Sequence, residues 1–236
     1  MRKLAVVTGA SGGIGYAIAL ALATAGFHAV LVARRAGLLD ELAERIRSTG
    51  GSAEVCAVDL LAEKAAETIA SLIDGRAVDV LVHCAAAFAQ APFAEADTRD
   101  FDRLFQLNVR SPLMLTQRLL PNVIDSLGMV VFINSSVGLR AGRDMVIYGA
   151  TKHALRAVAD TLRLEVNQHG VRVLSLYCGR VATPMQEQLF AAERRPYQPE
   201  LLTQPSDIAE ALLGVLALPR TTETTDIHVR PAKASY

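Results

Sequence analysis

The sequence lacks an excess of charge of either sign, because 24 Lys and Arg residues balance 24 Asp and Glu residues. Nucleic acids and anionic membranes attract basic proteins, so this balance gives no electrostatic reason to expect either partner. The sequence also lacks an apolar run of membrane-spanning length, since residues 111–133 are interrupted by Arg118, Pro121 and Asp125. We therefore expect no nucleic-acid partner and no membrane partner.

Cysteine is scarce as well, with three residues in the whole chain. Cys56, Cys84 and Cys178 are odd in number, and each lies in or beside an apolar run. This pattern indicates free thiols in a reducing compartment, and we expect a cytoplasmic location. No close Cys/His spacing indicates a metal site, and the N-terminal run that leads into glycines resembles a first strand and not a signal peptide.

The remaining composition is that of a globular chain, with 236 residues of which 51% are hydrophobic. One α/β domain can use this whole length, and we predict a single domain over residues 1–236. Apolar strand-like runs alternate with segments of helical spacing, which predicts a doubly wound, mainly parallel seven-stranded sheet with helices on both faces. The predicted strands are residues 4–8, 28–33, 53–58, 78–84, 129–135, 171–178 and 226–230.

The end of the first predicted strand runs into a glycine-rich turn, with Gly9, Gly13 and Gly15 in the spacing G-x-x-x-G-x-G. Glycine permits positive φ and a close approach of backbone N–H groups to a pyrophosphate, and the following helix directs its positive end there. A kinase or nucleotide hydrolase would need a Gly-Lys-Ser/Thr sequence, whereas Tyr16 follows these glycines. The turn therefore predicts a dinucleotide site.

The end of the second predicted strand indicates which dinucleotide is bound. Ala33 stands where many NAD-binding folds have an acid for the ribose hydroxyls, and Arg34 and Arg35 follow at once. A guanidinium group can grip a 2′-phosphate through two hydrogen bonds. We expect NADP(H) to be the preferred cofactor, with NAD(H) as the alternative.

Tyr148 and Lys152 are four residues apart in a segment of helical spacing, so their side chains share one helix face. A nearby ammonium group favours the ionised form of a phenol, which predicts a lowered pKa for Tyr148. By itself this spacing is typical of an ordinary helix surface pair, so its significance depends on the rest of the chain.

In combination, these motifs resemble the short-chain dehydrogenase/reductase family, in its shorter single-domain branch. The resemblance extends from about Lys3 to Pro231. It rests on TGASGGIG at 8–15, Asp59-Leu60, Asn108, SSVG at 135–138, Tyr148 with Lys152, and GRVAT at 179–183.

The resemblance implies hydride transfer between NADP(H) and a carbonyl or alcohol substrate, with catalytic residues Asn108, Ser135, Tyr148 and Lys152. Tyr148 would be the general acid/base, and Lys152 would lower its pKa and hold the nicotinamide ribose. Ser135 would bond the substrate oxygen, with Ser136 as a rival for that role. Asn108 would hold a water that links the lysine to solvent. An alternative is a catalytically silent NADP(H)-binding regulator or scaffold.

The resemblance also implies a set of cofactor contacts. They are Gly9, Ser11, Gly13, Ile14, Gly15, Arg34, Arg35, Asp59, Leu60, Cys84, Ala85, Ala86, Asn108, Tyr148, Lys152, Gly179, Val181 and Thr183. Two segments depart from the family pattern: His83-Cys84-Ala85-Ala86 replaces Asn-Asn-Ala-Gly, and Cys178-Gly179 replaces Pro-Gly. His83 and Cys84 lie in an apolar run, which favours a buried structural role over a catalytic one.

Residues 185–204 are expected to cover the substrate. We predict that Ser135, Met145 and Tyr148 contact it, and that Phe88, Phe93, Leu189 and Phe190 contribute to an apolar pocket. Arg194 and Arg195 could meet an anionic substrate or form a solvated helix face. The expected partner is a small molecule, and family members pair helices between subunits, which implies a homodimer or homotetramer.

Overall fold

A computed structural model describes residues 2–233 and contains one parallel sheet in that range. Its seven strands lie in the order β3-β2-β1-β4-β5-β6-β7, and every neighbouring pair is parallel. The strands are β1 (Leu4–Thr8), β2 (His28–Ala33), β3 (Ser52–Ala57), β4 (Val80–His83), β5 (Met129–Ser135), β6 (Arg172–Cys178) and β7 (Asp226–Val229). The predicted fold class is confirmed. The domain boundaries 1–236 stay a prediction, because Met1 and residues 234–236 lie outside the described residues.

Eight α-helices alternate with the strands in residues 2–233. They are α1 (Gly13–Thr24), α2 (Ala36–Ser48), α3 (Ala65–Ile73), α4 (Thr98–Phe105), α5 (Ser111–Asp125), α6 (Val146–Val166), α7 (Pro184–Ala192) and α8 (Pro205–Leu216). Most predicted strands agree within one residue, but β4 begins two residues late and ends before Cys84. Cys84 therefore belongs to the turn after the strand. The segment predicted to cover the substrate contains α7, which the sequence analysis did not identify.

The core consists of two layers, one on each side of the sheet. On one side Ile18 of α1, Leu39 of α2 and Ile208 of α8 are fully buried against it. On the other side Ile69 of α3, Leu119 of α5 and Leu155 of α6 are buried. Strands covered on both faces need apolar side chains at successive positions, which explains their continuous apolar runs.

The carboxyl ends of all seven strands meet at one edge of the sheet. The chain order reverses between β1 and β4, and a crevice forms outside such a reversal. Gly9 begins the turn after β1 with φ +72°, and its N–H donates to the carbonyl of Val32 at 2.8 Å. This edge therefore brings the glycine turn to the loops that follow β4, β5 and β6. No helix within residues 2–233 has both the length and the apolar character needed to cross a membrane.

Candidate active site

A cleft of about 590 Å³ lies along this edge of the sheet. This volume is in the range of small-molecule and cofactor sites. With the exception of Asn108, every residue predicted to contact cofactor or substrate lines the cleft: Gly9, Ser11, Gly13, Ile14, Gly15, Arg34, Arg35, Asp59, Leu60, Cys84, Ala85, Ala86, Ser135, Met145, Tyr148, Lys152, Gly179, Val181 and Thr183. The fold thus brings residues from most of the chain length to one cavity. Within residues 2–233 there is no group of three or more His, Cys, Asp or Glu side chains that could hold a metal ion.

The floor of the cleft is formed where β1 and β4 end side by side. The hydroxyl of Thr8 accepts hydrogen bonds from the N–H groups of Cys84 at 3.0 Å and Ala85 at 3.2 Å, and it donates to the carbonyl of Val82 at 3.1 Å. A side chain at Gly9 would place its Cβ 2.8 Å from the backbone nitrogen of Ala85. Position 9 therefore has to be glycine for the two strand ends to approach so closely.

One end of the cleft carries the two arginines that follow β2. Both Arg34 and Arg35 are exposed. The Nη2 of Arg35 lies 3.3 Å from the hydroxyl oxygen of Ser11, so this guanidinium group reaches across the glycine turn. Asp59 is also exposed and turns its carboxylate onto the N–H of Leu61 at 3.0 Å. We call this region, which comprises Ser11, Arg34, Arg35 and Asp59, the adenine end.

The opposite end, which we call the catalytic end, contains Tyr148 and Lys152 on the first turns of α6. The ammonium nitrogen of Lys152 lies 5.7 Å from the centroid of the Tyr148 ring. It donates a hydrogen bond to the carbonyl of Ile133 at 2.9 Å, and the whole lysine is only 3% exposed. The helical spacing therefore places both side chains on the same face, as the sequence predicts.

Burial dominates the ionisation of both groups. It raises the pKa of Tyr148 above its ordinary value, and the neighbouring Ser135 hydroxyl opposes only part of this rise. Burial also lowers the pKa of Lys152 from 10.5 to about 8, against a smaller opposing influence of the thiols of Cys84 and Cys178. The spacing of Tyr148 and Lys152 predicted a lowered pKa for Tyr148. The net shift goes the other way, because enclosure of the phenol disfavours its charged form.

Asn134 connects the end of β5 to helix α6. Its side-chain oxygen accepts from the N–H of Ser135 at 2.7 Å, and its side-chain nitrogen donates to the backbone carbonyl of Lys152 at 3.1 Å. Asn134 is 3% exposed, and a Cβ on Gly138 would lie 2.6 Å from its oxygen. Two successive residues of β5 thus bind Lys152. The carbonyl of Ile133 binds its ammonium group, and the side chain of Asn134 binds its backbone carbonyl. Asn134 was not predicted as a site residue, and its only signal in the sequence is its position directly before Ser135.

Asn108 does not line the cleft but lies behind it, and its contact with the cofactor stays a prediction. It sits in a π-helical turn, Gln106–Arg110, between α4 and α5, and is 1% exposed. Its side chain accepts from the N–H of Ala87 at 2.8 Å and donates to the carbonyl of Ala87 at 2.9 Å and to the hydroxyl of Thr151 at 3.1 Å. These bonds brace the loop after β4 against α6, close to Tyr148 and Lys152.

The first departure from the family pattern, His83, has a structural explanation. His83 is 3% exposed, stacks on Phe132 at 5.0 Å and shares a 2.7 Å hydrogen bond with Thr116. Burial lowers the pKa of His83 to about 3 and raises the pKa of Cys84 and of Cys178 to about 12. His83 is therefore neutral and both thiols are protonated near neutral pH. The expected structural role of His83 agrees with these contacts.

The apolar side chains expected near the substrate differ in whether they line the cleft. Phe88, Met145 and Leu189 line the cleft, and the ring of Phe88 packs edge-on to Tyr148 at 5.0 Å. Phe93 is 82% exposed and does not line it, because it sits on the outer surface of the loop after β4. Phe190 is buried beneath arginine side chains and likewise does not reach the cleft.

The segment that follows β6 leaves the sheet and returns to the same point. The N–H of Ala182 donates to the carbonyl of Thr203 at 2.8 Å, and the N–H of Thr203 donates to the carbonyl of Arg180 at 3.2 Å. Helix α7 lies inside this excursion, and Thr183 caps its first turn by accepting from the N–H of Gln186. Arg180 lines the cleft and was not singled out in the sequence, although it stands inside the GRVAT motif.

Comparison with known proteins shows what the chain is similar to. Residues 3–194 match the family model described as short chain dehydrogenase. An uncharacterized short-chain type dehydrogenase/reductase of Sinorhizobium fredii is 34% identical over 97% of this chain and 91% of that protein. The structure of an alcohol dehydrogenase from the archaeon Thermococcus sibiricus, complexed with 5-hydroxy-NADP, has a TM-score of 0.88 at 27% identity and covers 100% of both chains. A 7α-hydroxysteroid dehydrogenase complexed with NADH and 7-oxo glycochenodeoxycholic acid has a TM-score of 0.86 at 27% identity and covers 96% of this chain and 92% of that one.

Proposed function

Since the chain belongs to the short-chain dehydrogenase/reductase family, we propose that it transfers a hydride between NADP(H) and a carbonyl or alcohol substrate. Tyr148 is the general acid/base in this proposal. The observation that carries it is the meeting of Ser135, Tyr148 and Lys152 in the same cleft as the glycine turn. A regulator or scaffold that had lost catalysis would have no need to keep these three side chains together.

The cleft has the features that a dinucleotide needs. Gly9 and Gly13 have positive φ, and the backbone of the turn is free of side chains that would hold a pyrophosphate away. The turn leads directly into α1, whose N-terminus favours negative charge. When bound, the nicotinamide would supply or accept the hydride.

Side chains of the protein would transfer the proton that accompanies the hydride. With its pKa raised by burial, Tyr148 remains protonated near neutral pH, which suits donation to the oxygen of a carbonyl group during reduction. Lys152 is held behind the phenol by Ile133 and Asn134, and Ser135 reaches the cleft from the adjacent strand end. We propose reduction as the favoured direction, with Ser135 and Tyr148 sharing the substrate oxygen and Asn108 positioning the surrounding loop.

The preference for NADP(H) rests on Arg34 and Arg35. Both guanidinium groups line the adenine end, where a 2′-phosphate would bring two negative charges within reach. The structure from Thermococcus sibiricus holds an NADP derivative, whereas that of the steroid dehydrogenase holds NADH. The cofactor therefore varies among similar proteins, and the arginines of this chain are what favour NADP(H).

We also propose a homo-oligomer that pairs α5 and α6 between subunits. Leu113 on α5 is 40% exposed and Leu164 on α6 is 85% exposed, and the paired helices of a partner subunit would cover them. Sedimentation at assay concentrations measures this directly. A fully active monomer would contradict it.

The function is tested by following NADPH oxidation in the presence of a panel of aldehydes, ketones and oxo acids. We expect consumption of NADPH with at least one compound and stoichiometric formation of the alcohol. NADPH binding in the absence of substrate, measured by the change in its fluorescence, checks the cofactor site separately. Tight NADPH binding without turnover of any carbonyl compound would favour the scaffold alternative.

A further inference from the structure

Arg180 occupies an unusual position at the catalytic end of the cleft. Cys178 pairs in register with Ser135, so Arg180 stands only two residues beyond the strand end that adjoins the catalytic serine. Its side chain is 25% exposed and lines the cleft. Its Nη2 contacts both carboxylate oxygens of Glu193, at 2.9 and 3.0 Å, and its guanidinium group stacks over Phe190 at 4.7 Å. The guanidinium group is thus fixed at the border of the substrate region.

Glu193 does not balance the positive charge around it. Arg195 also contacts Glu193, at 3.2 Å, and stacks over the same Phe190 ring at 5.1 Å. Two arginines therefore share one carboxylate, which leaves a net positive charge beside the cleft. Among the cleft-lining residues of the described chain, the single acidic side chain is Asp59, at the adenine end. Five strand positions separate β3 from β6, about 24 Å, so Asp59 is too distant to compensate.

Two hydrogen-bond donors near this border lack an acceptor. The Nη1 atom of Arg180 and the Nε2 atom of Gln186 are buried, and neither has a hydrogen-bond partner among residues 2–233. Both residues line the cleft. Buried donors are nearly always paired in folded proteins, so unpaired donors beside a cavity point to an acceptor that the chain itself does not supply. An oxygen-rich anion would meet both the charge and the donors.

We propose that the substrate is a carbonyl compound that carries a carboxylate group, and that Arg180 and Gln186 bind this carboxylate. The inference rests on the proposed oxidoreductase function, because it places the reacting carbonyl at Tyr148. The alkyl chain between carbonyl and carboxylate would then lie along Met145 and Leu189, the apolar part of the same cleft.

The competing explanation is that Arg180 and Glu193 merely fasten the end of α7 to the strand edge. The two explanations predict opposite effects of Glu193→Gln on the affinity for acids. If the pair is only a fastener, Glu193→Gln and Arg180→Gln should weaken the binding of all substrates alike. If Arg180 binds the carboxylate, Glu193→Gln removes a competing acceptor and should maintain or increase the affinity for acids, whereas Arg180→Gln should reduce it.

The test compares oxo acids with their methyl esters, which keep the ketone and remove the charge. The probes are acetoacetate, 4-oxopentanoate and 5-oxohexanoate with the corresponding esters, measured by calorimetry against the complex of the enzyme with NADP⁺, which cannot reduce a ketone. Arg195→Gln is the matched control, because Arg195 contacts the same Glu193 and Phe190 but does not line the cleft. Thermal melting and circular dichroism verify that each variant is folded.

We expect at least one acid to bind on the order of tenfold to a hundredfold more tightly than its ester. Arg180→Gln should abolish this difference and Arg195→Gln should retain it. Equal affinity for acids and esters, no binding of any acid, or an unchanged preference in Arg180→Gln would overturn the inference. Reduction of ketones and esters without a preference for acids would also overturn it and leave the proposed function intact. An acid that binds through Arg180 but is never reduced with NADPH would support the binding site and count against the oxidoreductase function.

Discussion

The adenine end and the catalytic end of the cleft are built on different physical principles. At the adenine end, Arg34 and Arg35 are exposed and the binding surface is largely the backbone of the glycine turn. At the catalytic end, Lys152 and Asn134 are each 3% exposed and their polar atoms bond to backbone groups. The charged side chains at the adenine end are therefore exposed to solvent and can be substituted without disturbing the core. The polar side chains at the catalytic end are buried and hydrogen-bonded to the backbone.

The difference has consequences for ionisation. Large pKa shifts occur at the catalytic end and beside it, at Tyr148, Lys152, Cys84 and Cys178, and burial is the first cause of each. A charge in that environment is costly, so it persists only where backbone acceptors such as the carbonyl of Ile133 support it. Substitutions at the catalytic end should therefore affect catalysis and stability together, whereas those at the adenine end should affect only cofactor choice.

The largest expected effect is that of Tyr148→Phe. This substitution keeps the ring and its packing against Phe88 and removes the hydroxyl, so kcat should fall by about 10²–10⁴-fold. NADPH affinity should change little, because the main partner of the hydroxyl is the substrate oxygen. Steady-state kinetics and a fluorescence titration with NADPH measure the two quantities. Tyr197→Phe, outside the cleft, is the control, and near-normal turnover by Tyr148→Phe would show that the proposed proton transfer is wrong.

The second effect concerns the adenine end. Loss of a charge-assisted contact to the 2′-phosphate costs about 1.5–3 kcal/mol, on the order of tenfold to a hundredfold in affinity. Arg34→Ala and Arg35→Ala should each lower kcat/KM with NADPH and leave the value with NADH almost unchanged. Arg34 directly follows the strand, whereas Arg35 is the one that contacts Ser11 across the glycine turn. Comparison of the two variants ranks them, and equal use of both cofactors by the unmodified protein would contradict the assignment.

The third prediction is that Lys152→Met stabilises the protein while it impairs catalysis. The folded-state pKa of about 8 lies below the ordinary 10.5, so burial penalises the charged lysine. Removing this penalty should raise the free energy of unfolding by about 1–3 kcal/mol at pH 7. Between pH 8 and 10.5 the unfolded wild-type chain binds more protons than the folded chain, so the free energy of unfolding of the wild type rises with pH across that window. The stability advantage of the variant should therefore shrink there. Urea denaturation at pH 7 and pH 10 measures both values, and a variant less stable than wild type at pH 7 would contradict the prediction.

The fourth prediction concerns His83, which lies at the end of β4. The pKa of His83 is about 3 in the folded protein and 6.5 ordinarily. Between pH 3 and pH 6.5 the unfolded chain therefore binds a proton at this side chain that the folded chain does not bind. Stability should therefore fall by up to about 1.4 kcal/mol per pH unit below pH 6.5 from this group. The double variant His83→Leu, Thr116→Val removes the titrating ring together with its hydrogen-bond partner. Its denaturation midpoint should depend less on pH between 6.5 and 4.5, and an unchanged dependence would assign the acid sensitivity to other groups.

Prediction from the sequence succeeded where a local pattern carries the physical signal. Continuous apolar runs correspond to β1, β2, β5 and β6 within one residue, since strands covered on both faces cannot alternate with polar positions. It was less successful for β4 and α7. The apolar run of β4 continues past the end of its pairing with β5, and α7 has no strong apolar stripe because one of its sides faces the cleft.

Some features of the candidate site also follow from local sequence patterns, and others depend on tertiary structure. Spacing alone placed Tyr148 and Lys152 on one face, because the period of a helix is a local property. The position of Asn108 behind the cleft depends on a π-helical turn and on Ala87, which is distant in sequence and close in space. The exposure of Phe93 and the burial of Phe190 likewise depend on how loops fold over the sheet edge.

The sequence by itself determined the layered parallel sheet, the glycine turn and the choice of side chains that we propose as catalytic, because periodicity, glycine conformation and motif spacing are encoded over short stretches. Tertiary structure alone decided how those side chains ionise and what supports them. The direction of the Tyr148 pKa shift follows from enclosure by distant segments, and Asn134 becomes a support for Lys152 only when β5 meets α6. Solvent exclusion and hydrogen-bond partnership are properties of neighbours in space, and no stretch of sequence carries them alone.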